Sequence, residues 1–296
     1  MSVFSILQHL RFSFGYYFLP VFLFAVSMAD SYDLFRIGLL FIALFVFIYP
    51  AGFAYASYVE RDDIKFGGHT KLDYPGKEVF YLSVLFDLIG LGISLYLSIN
   101  LMIGLLVYIL LSRAYTWKGI RLKKLPVIGF ITVLFSQGIL MFTLVYISVQ
   151  NFSFEACVLQ TNYFLPSLIS SLFVASIFLI AQVYRHKADA KAGEKTLSTK
   201  LKIKGTFEFS GVLFLLASLL MAFHFVGTHQ SHLFYIFLLF VFPVVAYFFW
   251  WFSKVWENKN EANYRHTMML QKFYATCMSL YFLFVLVVKN VNELPL

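Results

Sequence analysis

Nine apolar stretches, most of them long enough to span a membrane as a helix, follow one another along the 296-residue chain. A hydrocarbon core about 30 Å thick needs roughly 20 residues of α-helix. The pattern therefore predicts an all-α, polytopic membrane protein with nine transmembrane helices. The longest polar stretches have only about 20 residues, so we expect a single domain over residues 1–296. The apolar stretches are 13–29, 37–59, 79–98, 99–112, 126–149, 163–184, 208–226, 233–252 and 273–289.

Positive charge recurs in every second gap between these stretches. Lysine and arginine concentrate in segments 61–77, 113–124, 185–204 and 254–272, whereas Arg36 is the only basic residue in the other gaps. Basic flanks of membrane helices stay on the cytoplasmic side. We therefore expect these loops and the N-terminus, which carries Arg11, to lie inside and the C-terminus to lie outside. The localisation expected is the bacterial cytoplasmic membrane.

The composition supports a membrane protein and argues against a nucleic-acid-binding protein. Hydrophobic residues make up 60% of the chain and charged residues 13%, with a mean hydropathy of +0.79. The formal net charge of +8 follows from the basic inside loops, which also contact anionic lipid headgroups. No nucleic-acid recognition module is present. Membrane lipids are thus expected partners, and nucleic acid is not.

Two inside loops combine carboxylates with basic side chains. After the second stretch, three carboxylates lie within four residues: Glu60, Asp62 and Asp63. After the sixth stretch, Asp189 is surrounded by five basic side chains, His186 included. Carboxylate oxygens suit Mg²⁺, which often bridges them to substrate phosphates, and Lys and Arg complement phosphate directly. The pattern is typical of a phosphate site, or alternatively of solvated loop charges that balance one another.

The loop between the fourth and fifth stretches favours the phosphate site. It holds five cations and no acid: Arg113, Lys118, Arg121, Lys123 and Lys124. Loops separated by two helices each can converge at one end of a helix bundle. We expect these three loops to form one mouth that holds an anion such as a diphosphate.

At these loops the chain resembles the superfamily of intramembrane prenyltransferases named after UbiA. The segment from Tyr115 to Gly129 is similar to the family's Tyr…Arg-Leu-Lys segment after helix four. The segment from Asp189 to Leu197 is similar to the end of the second Asp-rich motif, D-x-x-x-G-x-x-T-L. The resemblance covers nearly the whole chain and implies nine helices around a central cavity. It also implies Mg²⁺, an isoprenyl diphosphate donor and a hydrophobic, in some members aromatic, acceptor.

The chain departs from the family pattern at the metal ligands. The first motif, N-x-x-x-D-x-x-x-D, falls on Ala56, Glu60 and Ile64, so only Glu60 keeps a carboxylate. In the second motif, D-x-x-x-D falls on Arg185 and Asp189. Arg185 in the place of a metal ligand would supply positive charge directly. The alternative is a family scaffold that has lost its chemistry.

The resemblance and the loop chemistry together predict three groups of site residues. The predicted catalytic and metal-binding residues are Glu60, Asp62, Asp63 and Asp189. The predicted diphosphate-binding residues are Arg113, Lys118, Arg121, Lys123, Arg185 and Lys195. The predicted substrate-pocket residues are Tyr58, Asp87, Tyr115, Gln182 and His186.

Asp87 is predicted from its position within an apolar stretch. An ionisable side chain at membrane depth usually faces a cavity or a partner. Asp87 therefore lines the acceptor pocket or forms a structural pair with a neighbouring helix.

Three activities remain open at this point. The first is transfer of a prenyl group from its diphosphate to a hydrophobic acceptor. The second is a terpene cyclase of the same fold, and the third is a non-catalytic lipid-binding or partner subunit.

Overall fold

The computed structural model describes residues 3–30, 33–60, 74–158, 160, 163–191 and 193–293. These residues form nine helices long and apolar enough to cross a membrane, and they form no β-strand. The predicted fold class is confirmed. Asp62 and Asp63 lie outside the described residues. We name the helices α1 Phe4–Ser27, α2 Leu34–Glu60, α3 Lys77–Leu97, α4 Ile99–Thr116, α5 Pro126–Gln150, α6 Phe164–Lys191, α7 Leu197–Gly227, α8 Ser231–Glu257 and α9 Tyr264–Lys289.

Helix α1 is broken near its start, which the apolar pattern alone did not predict. A short amphipathic helix, Val3–Leu10, ends at Arg11, whose φ of 45° lies in the left-handed region. A 3-10 helix, Phe12–Phe18, and an α-helix, Leu19–Ser27, then enter the bundle. Because a left-handed residue cannot continue a right-handed helix, Arg11 sets the angle between the two parts.

Helix α7 begins about eleven residues before the predicted apolar stretch at 208. Its first turns carry three lysines, Lys200, Lys202 and Lys204. Thr196 starts the helix, because its side chain accepts a hydrogen bond from the Thr199 N–H, and such caps satisfy free donors at helix N-termini. Lys202 then interrupts the helix with a φ of 61°. Apolar content thus marks the membrane depth of a helix and not its ends.

The helices pack in chain order around a closed ring, and α9 closes the ring against α1. Helix α1 also crosses the interior and contacts α5. Phe24 of α1 lies at this junction, with its ring centroid 4.5 Å from Phe282 of α9 and 5.2 Å from Phe142 of α5. All three rings are buried, so aromatic packing fixes the middle of the bundle.

Small residues let α6 approach both of its neighbours closely. On the α7 side, the Ser176 hydroxyl donates to the Ser210 carbonyl over 2.8 Å. On the α5 side, Gly138 lies in a π-helical turn, Leu134–Leu140, and Ser171 donates to the Leu134 carbonyl over 2.9 Å. Close backbone approach at small residues is the usual basis of helix association in membranes.

We expect Gly138→Ala to loosen the α5–α6 contact. A Cβ atom at residue 138 would lie 2.8 Å from the Cβ of Ser171 and would also overlap its backbone. Overpacking of this kind costs about 1–3 kcal/mol, which unfolding in mixed micelles would measure. The control is Gly92→Ala, where a Cβ meets nothing within 4 Å. Equal stability of both variants would contradict the close approach.

Two cations lie at the end of the bundle opposite the lysine-rich loops, and both contact helix C-termini. Arg36 donates to the Leu97 carbonyl over 3.1 Å, and Lys289 donates to the Ser27 carbonyl over 2.7 Å. Unpaired carbonyls at a helix C-terminus attract positive charge. These contacts explain why two basic residues occur at an end otherwise poor in them.

Candidate functional site

Three segments meet at one end of the bundle, which we call the charged end. They are the last turn of α2, the turn between α4 and α5, and the connection between α6 and α7. Their side chains form ion pairs with one another across the bundle. The predicted convergence of the three loops therefore holds for their described residues.

The turn between α4 and α5 is folded so that Lys123 points inward. Arg121 adopts a left-handed conformation with a φ of 49°, and a 3-10 helix, Leu122–Lys124, follows it. This turn packs tightly on the first turn of α5, since a Cβ atom at Gly129 would lie 2.8 Å from the Leu122 carbonyl oxygen. Only glycine permits this approach without displacement. Lys123 is consequently 8% exposed.

The end of α6 and its connection to α7 each hold a carboxylate. A short helix, His186–Lys191, carries Asp189, which is buried. Gly193, with a φ of +65°, reverses the chain, and the Glu194 N–H donates to the Asp189 carbonyl over 2.8 Å. Glycine in this conformation commonly ends a helix. The glycine and the threonine of the G-x-x-T-L motif therefore have structural roles, as the helix terminator and as the cap of α7.

The ion pairs form a group that we call the charged cluster. The Lys123 ammonium lies 2.6 Å from Glu60 Oε1 and 3.1 Å from Glu194 Oε1. The Arg121 guanidinium pairs with the same Oε1 atom of Glu194. Beside them, Arg185 Nε lies 3.6 Å from Asp189 Oδ1. The members of the charged cluster are Glu60, Arg121, Lys123, Arg185, Asp189 and Glu194.

Glu194 is held in its charged form. Burial alone would raise the pKa of Glu194, but Lys123 and Arg121 outweigh this effect and hold the pKa below its ordinary value. The carboxylate therefore remains ionised at neutral pH. With three cations and three carboxylates, the charged cluster is formally neutral.

Tyr115 lies beside the charged cluster. Its hydroxyl is within electrostatic range of Glu60, Arg185, Glu194 and Asp189. The ring borders a recess with an empty volume of about 190 Å³, mouth included. Pockets for drug-sized ligands have about 300–1,000 Å³, so the recess is smaller than such a pocket. The recess is lined by Tyr115, Lys123, Pro126, Gly129, Phe130, Phe178, Gln182, Thr196 and Leu197.

The recess combines a polar mouth with an aromatic wall. Lys123 and Thr196 supply polar groups, while Phe130 and Phe178 supply apolar surface. Gln182 contributes an amide whose Oε1 atom is buried and accepts no hydrogen bond from the described residues. An amphiphile with an anionic head and an apolar tail would match these polar and apolar surfaces.

The predicted magnesium ligands that the structure describes are engaged by cations. Glu60 contacts Lys123, and Asp189 contacts Arg185. Among the described residues no group of three or more His, Cys, Asp or Glu side chains is arranged to hold a metal ion. The described donor set therefore does not fit a magnesium centre. The other two predicted ligands, Asp62 and Asp63, lie outside the described residues.

Asp87 and Arg113 form a second buried ion pair, between α3 and α4. The Arg113 guanidinium also lies 3.9 Å from the ring centroid of Tyr55 on α2. Arg113 thus contacts α2 and α3 and pairs with a carboxylate that is not part of the charged cluster. The pair joins three neighbouring helices.

The remaining predicted site residues form no ion pair with the charged cluster among the described residues. Lys118 and Lys195 are exposed, and their predicted role in diphosphate binding stays a prediction. Tyr58 packs against Phe80 of α3, with ring centroids 5.4 Å apart. His186 contacts the Ser198 hydroxyl over 2.7 Å, which attaches the short helix to α7. Tyr115 and Gln182, by contrast, line the recess.

Glu194 is the site residue that sequence analysis missed. It lies among the basic residues of the α6–α7 connection, one position after the motif glycine. Its two partners are about 70 residues away in the chain, so no local spacing indicates the contact. The sequence feature that could have indicated Glu194 is Gly193, because a left-handed residue changes the direction of the side chain that follows it.

Comparison with known proteins agrees with the fold. The sequence profile of the UbiA prenyltransferase family matches residues 73–282. A comparison with curated protein sequences gave no significant match.

Solved structures of similar fold cover nearly all of the chain. A UbiA homologue from Archaeoglobus fulgidus bound to GPP and Mg²⁺ has a TM-score of 0.69 at 15% identity, over 96% of this chain and 99% of that one. The same homologue bound to DMAPP and Mg²⁺ has a TM-score of 0.68 at 16% identity, with the same coverage. A structure described for digeranylgeranylglyceryl phosphate synthase has a TM-score of 0.62 at 17% identity, over 96% of each chain. With nine membrane-length helices among its described residues and a family match over more than half its length, this integral membrane protein belongs to the UbiA prenyltransferase family.

Proposed function

We propose that this protein binds an isoprenyl diphosphate at the charged end and transfers the prenyl group to a hydrophobic acceptor. The observation that carries the proposal is the charged cluster with its cations Arg121, Lys123 and Arg185, of which Lys123 lines, together with Phe130 and Phe178, a recess with an aromatic wall. These cations match a diphosphate, and Phe130 and Phe178 match the prenyl chain. The family supports the reaction type.

In the proposed reaction the bond between the allylic carbon and the diphosphate oxygen breaks. The diphosphate leaves with the electron pair, and Arg121, Lys123 and Arg185 stabilise its growing negative charge. The allylic cation then bonds to the acceptor, which loses a proton. The face of Tyr115 is suited to stabilise a cation near the recess.

Magnesium stays a prediction from the family resemblance. Related structures hold Mg²⁺ together with GPP or DMAPP, whereas the described carboxylates here pair with cations. The proposal therefore derives no step from a metal ion. We further propose that the charged end, with the N-terminus, faces the cytoplasm of a bacterium, as the basic loops favour.

The test is binding and turnover by purified protein with isoprenyl diphosphates of several lengths, with Mg²⁺ and with EDTA. We expect saturable binding and acceptor-dependent release of diphosphate, both reduced at least tenfold by Arg185→Gln. The matched control is Lys259→Gln, which removes a cation from the exposed α8–α9 loop. Release without any acceptor would indicate a cyclase. Binding without release would indicate a lipid-binding subunit, and absence of binding would overturn the proposal.

A further inference from the structure

One oxygen atom, Oε1 of Glu194, forms ion pairs with two cations of the α4–α5 turn. Arg121 pairs with it from one side, and the Lys123 ammonium lies 3.1 Å away. The glutamate side chain is 6% exposed. A phosphate oxygen is bound in the same way, by charged donors that point at one anionic oxygen. A carboxylate of the chain itself therefore occupies an anion-binding position.

The backbone that carries Glu194 is placed at the surface. Gly193 and Lys195 on either side are exposed, and a Cβ atom at Gly193 would meet nothing within 4 Å. Asp189, in contrast, is carried on a helix. Glu194 can thus leave the cations by rotation of its own side chain, without movement of a membrane helix.

The charge of the site depends on where this side chain lies. With Glu194 in place the charged cluster holds three cations and three carboxylates, so it does not attract a polyanion from a distance. With Glu194 turned out to water the cluster gains one net positive charge. Arg121 then loses this carboxylate partner and Lys123 keeps Glu60 as its partner, so the entry of another anion becomes favourable.

We propose that Glu194 is a displaceable internal anion, which occupies the diphosphate position of the ligand-free protein and is exchanged for the ligand. This inference rests on the proposed function. The exchange brings a diphosphate oxygen onto Arg121 and Lys123 directly, with no metal ion as an intermediary.

The first test measures affinity for geranyl diphosphate in EDTA, with the intact protein in lipid nanodiscs. Glu194→Gln keeps the shape of the side chain and removes the competing charge, so we expect binding to tighten about tenfold or more. Lys123 keeps Glu60 as a partner in this variant. The matched control is Glu257→Gln, which removes an exposed carboxylate from the C-terminal end of α8 and should leave affinity unchanged.

A second test uses the unaltered protein and does not depend on the folding of a variant. Carbodiimide and an amine label accessible carboxylates, and mass spectrometry locates the label. Labelling of Glu194 should rise several-fold when geranyl diphosphate is bound, because the side chain moves into water. Labelling of Glu257 should not change.

The outcomes separate this inference from the proposed function. Tighter binding by Glu194→Gln together with increased labelling supports the exchange. If the unaltered protein binds but Glu194→Gln binds equally or more weakly, or if Glu194 labelling does not rise, the exchange is overturned and the proposed function stands. If the unaltered protein and the variant do not bind with or without Mg²⁺, both fail.

Discussion

Lys123→Met is expected to destabilise the protein by about 3–5 kcal/mol and to abolish isoprenyl diphosphate binding. Lys123 contacts two carboxylates of the charged cluster, Glu60 and Glu194. Methionine keeps most of the apolar stem but leaves Glu60 without its cation. Removal of one partner from a buried ion pair usually costs about 3–5 kcal/mol. Unfolding in mixed micelles and ligand titration would measure the two effects.

Two further variants distinguish loss of the site from loss of the fold. Lys124→Met changes the exposed neighbour in the same turn and should alter stability by less than about 0.5 kcal/mol. The double variant Lys123→Met with Glu60→Gln removes the unpaired charge, so we expect stability to recover while binding stays lost. A folded Lys123→Met protein that binds geranyl diphosphate normally would refute the role of this lysine.

The membrane architecture could be predicted because it depends on composition over long windows. The apolar stretches located the nine membrane-length helices that the described part of the chain forms, and the structure confirms them. The exact helix ends could not be predicted in this way. Arg11, Lys202 and the cap at Thr196 act through backbone conformation and single hydrogen bonds, and average hydrophobicity carries no information about either.

The sequence could predict where the candidate site lies but not which of its side chains form ion pairs. The family resemblance and the charged loops located Glu60, Lys123 and Asp189 at one end of the bundle, where the structure places them. The predicted ligands of a metal are instead paired with cations in the described residues. Sequence separation explains the difference, since Lys123 and Glu60 lie 63 residues apart. Such pairs arise from the packing of helices and leave no local pattern.

Asp87→Ala is expected to be the most damaging substitution within the membrane-spanning part, with a loss of about 3–5 kcal/mol. It leaves the buried Arg113 guanidinium with the ring of Tyr55 but without its carboxylate. Arg113 Nη1 already has no hydrogen-bond partner in the described part of the chain. Few other contacts therefore remain to stabilise the guanidinium charge once the carboxylate is removed. Unfolding in mixed micelles would measure the loss.

The double variant Asp87→Leu with Arg113→Met decides between the two roles predicted for Asp87. If the pair is structural, replacing both charges by apolar side chains of similar size restores stability to within about 1 kcal/mol, because well-packed apolar groups often replace a buried ion pair without loss. Diphosphate binding would then also be retained, since Lys123 and Arg121 are unchanged. If Asp87 lines the acceptor pocket, the double variant folds and binds the donor but no longer transfers its prenyl group.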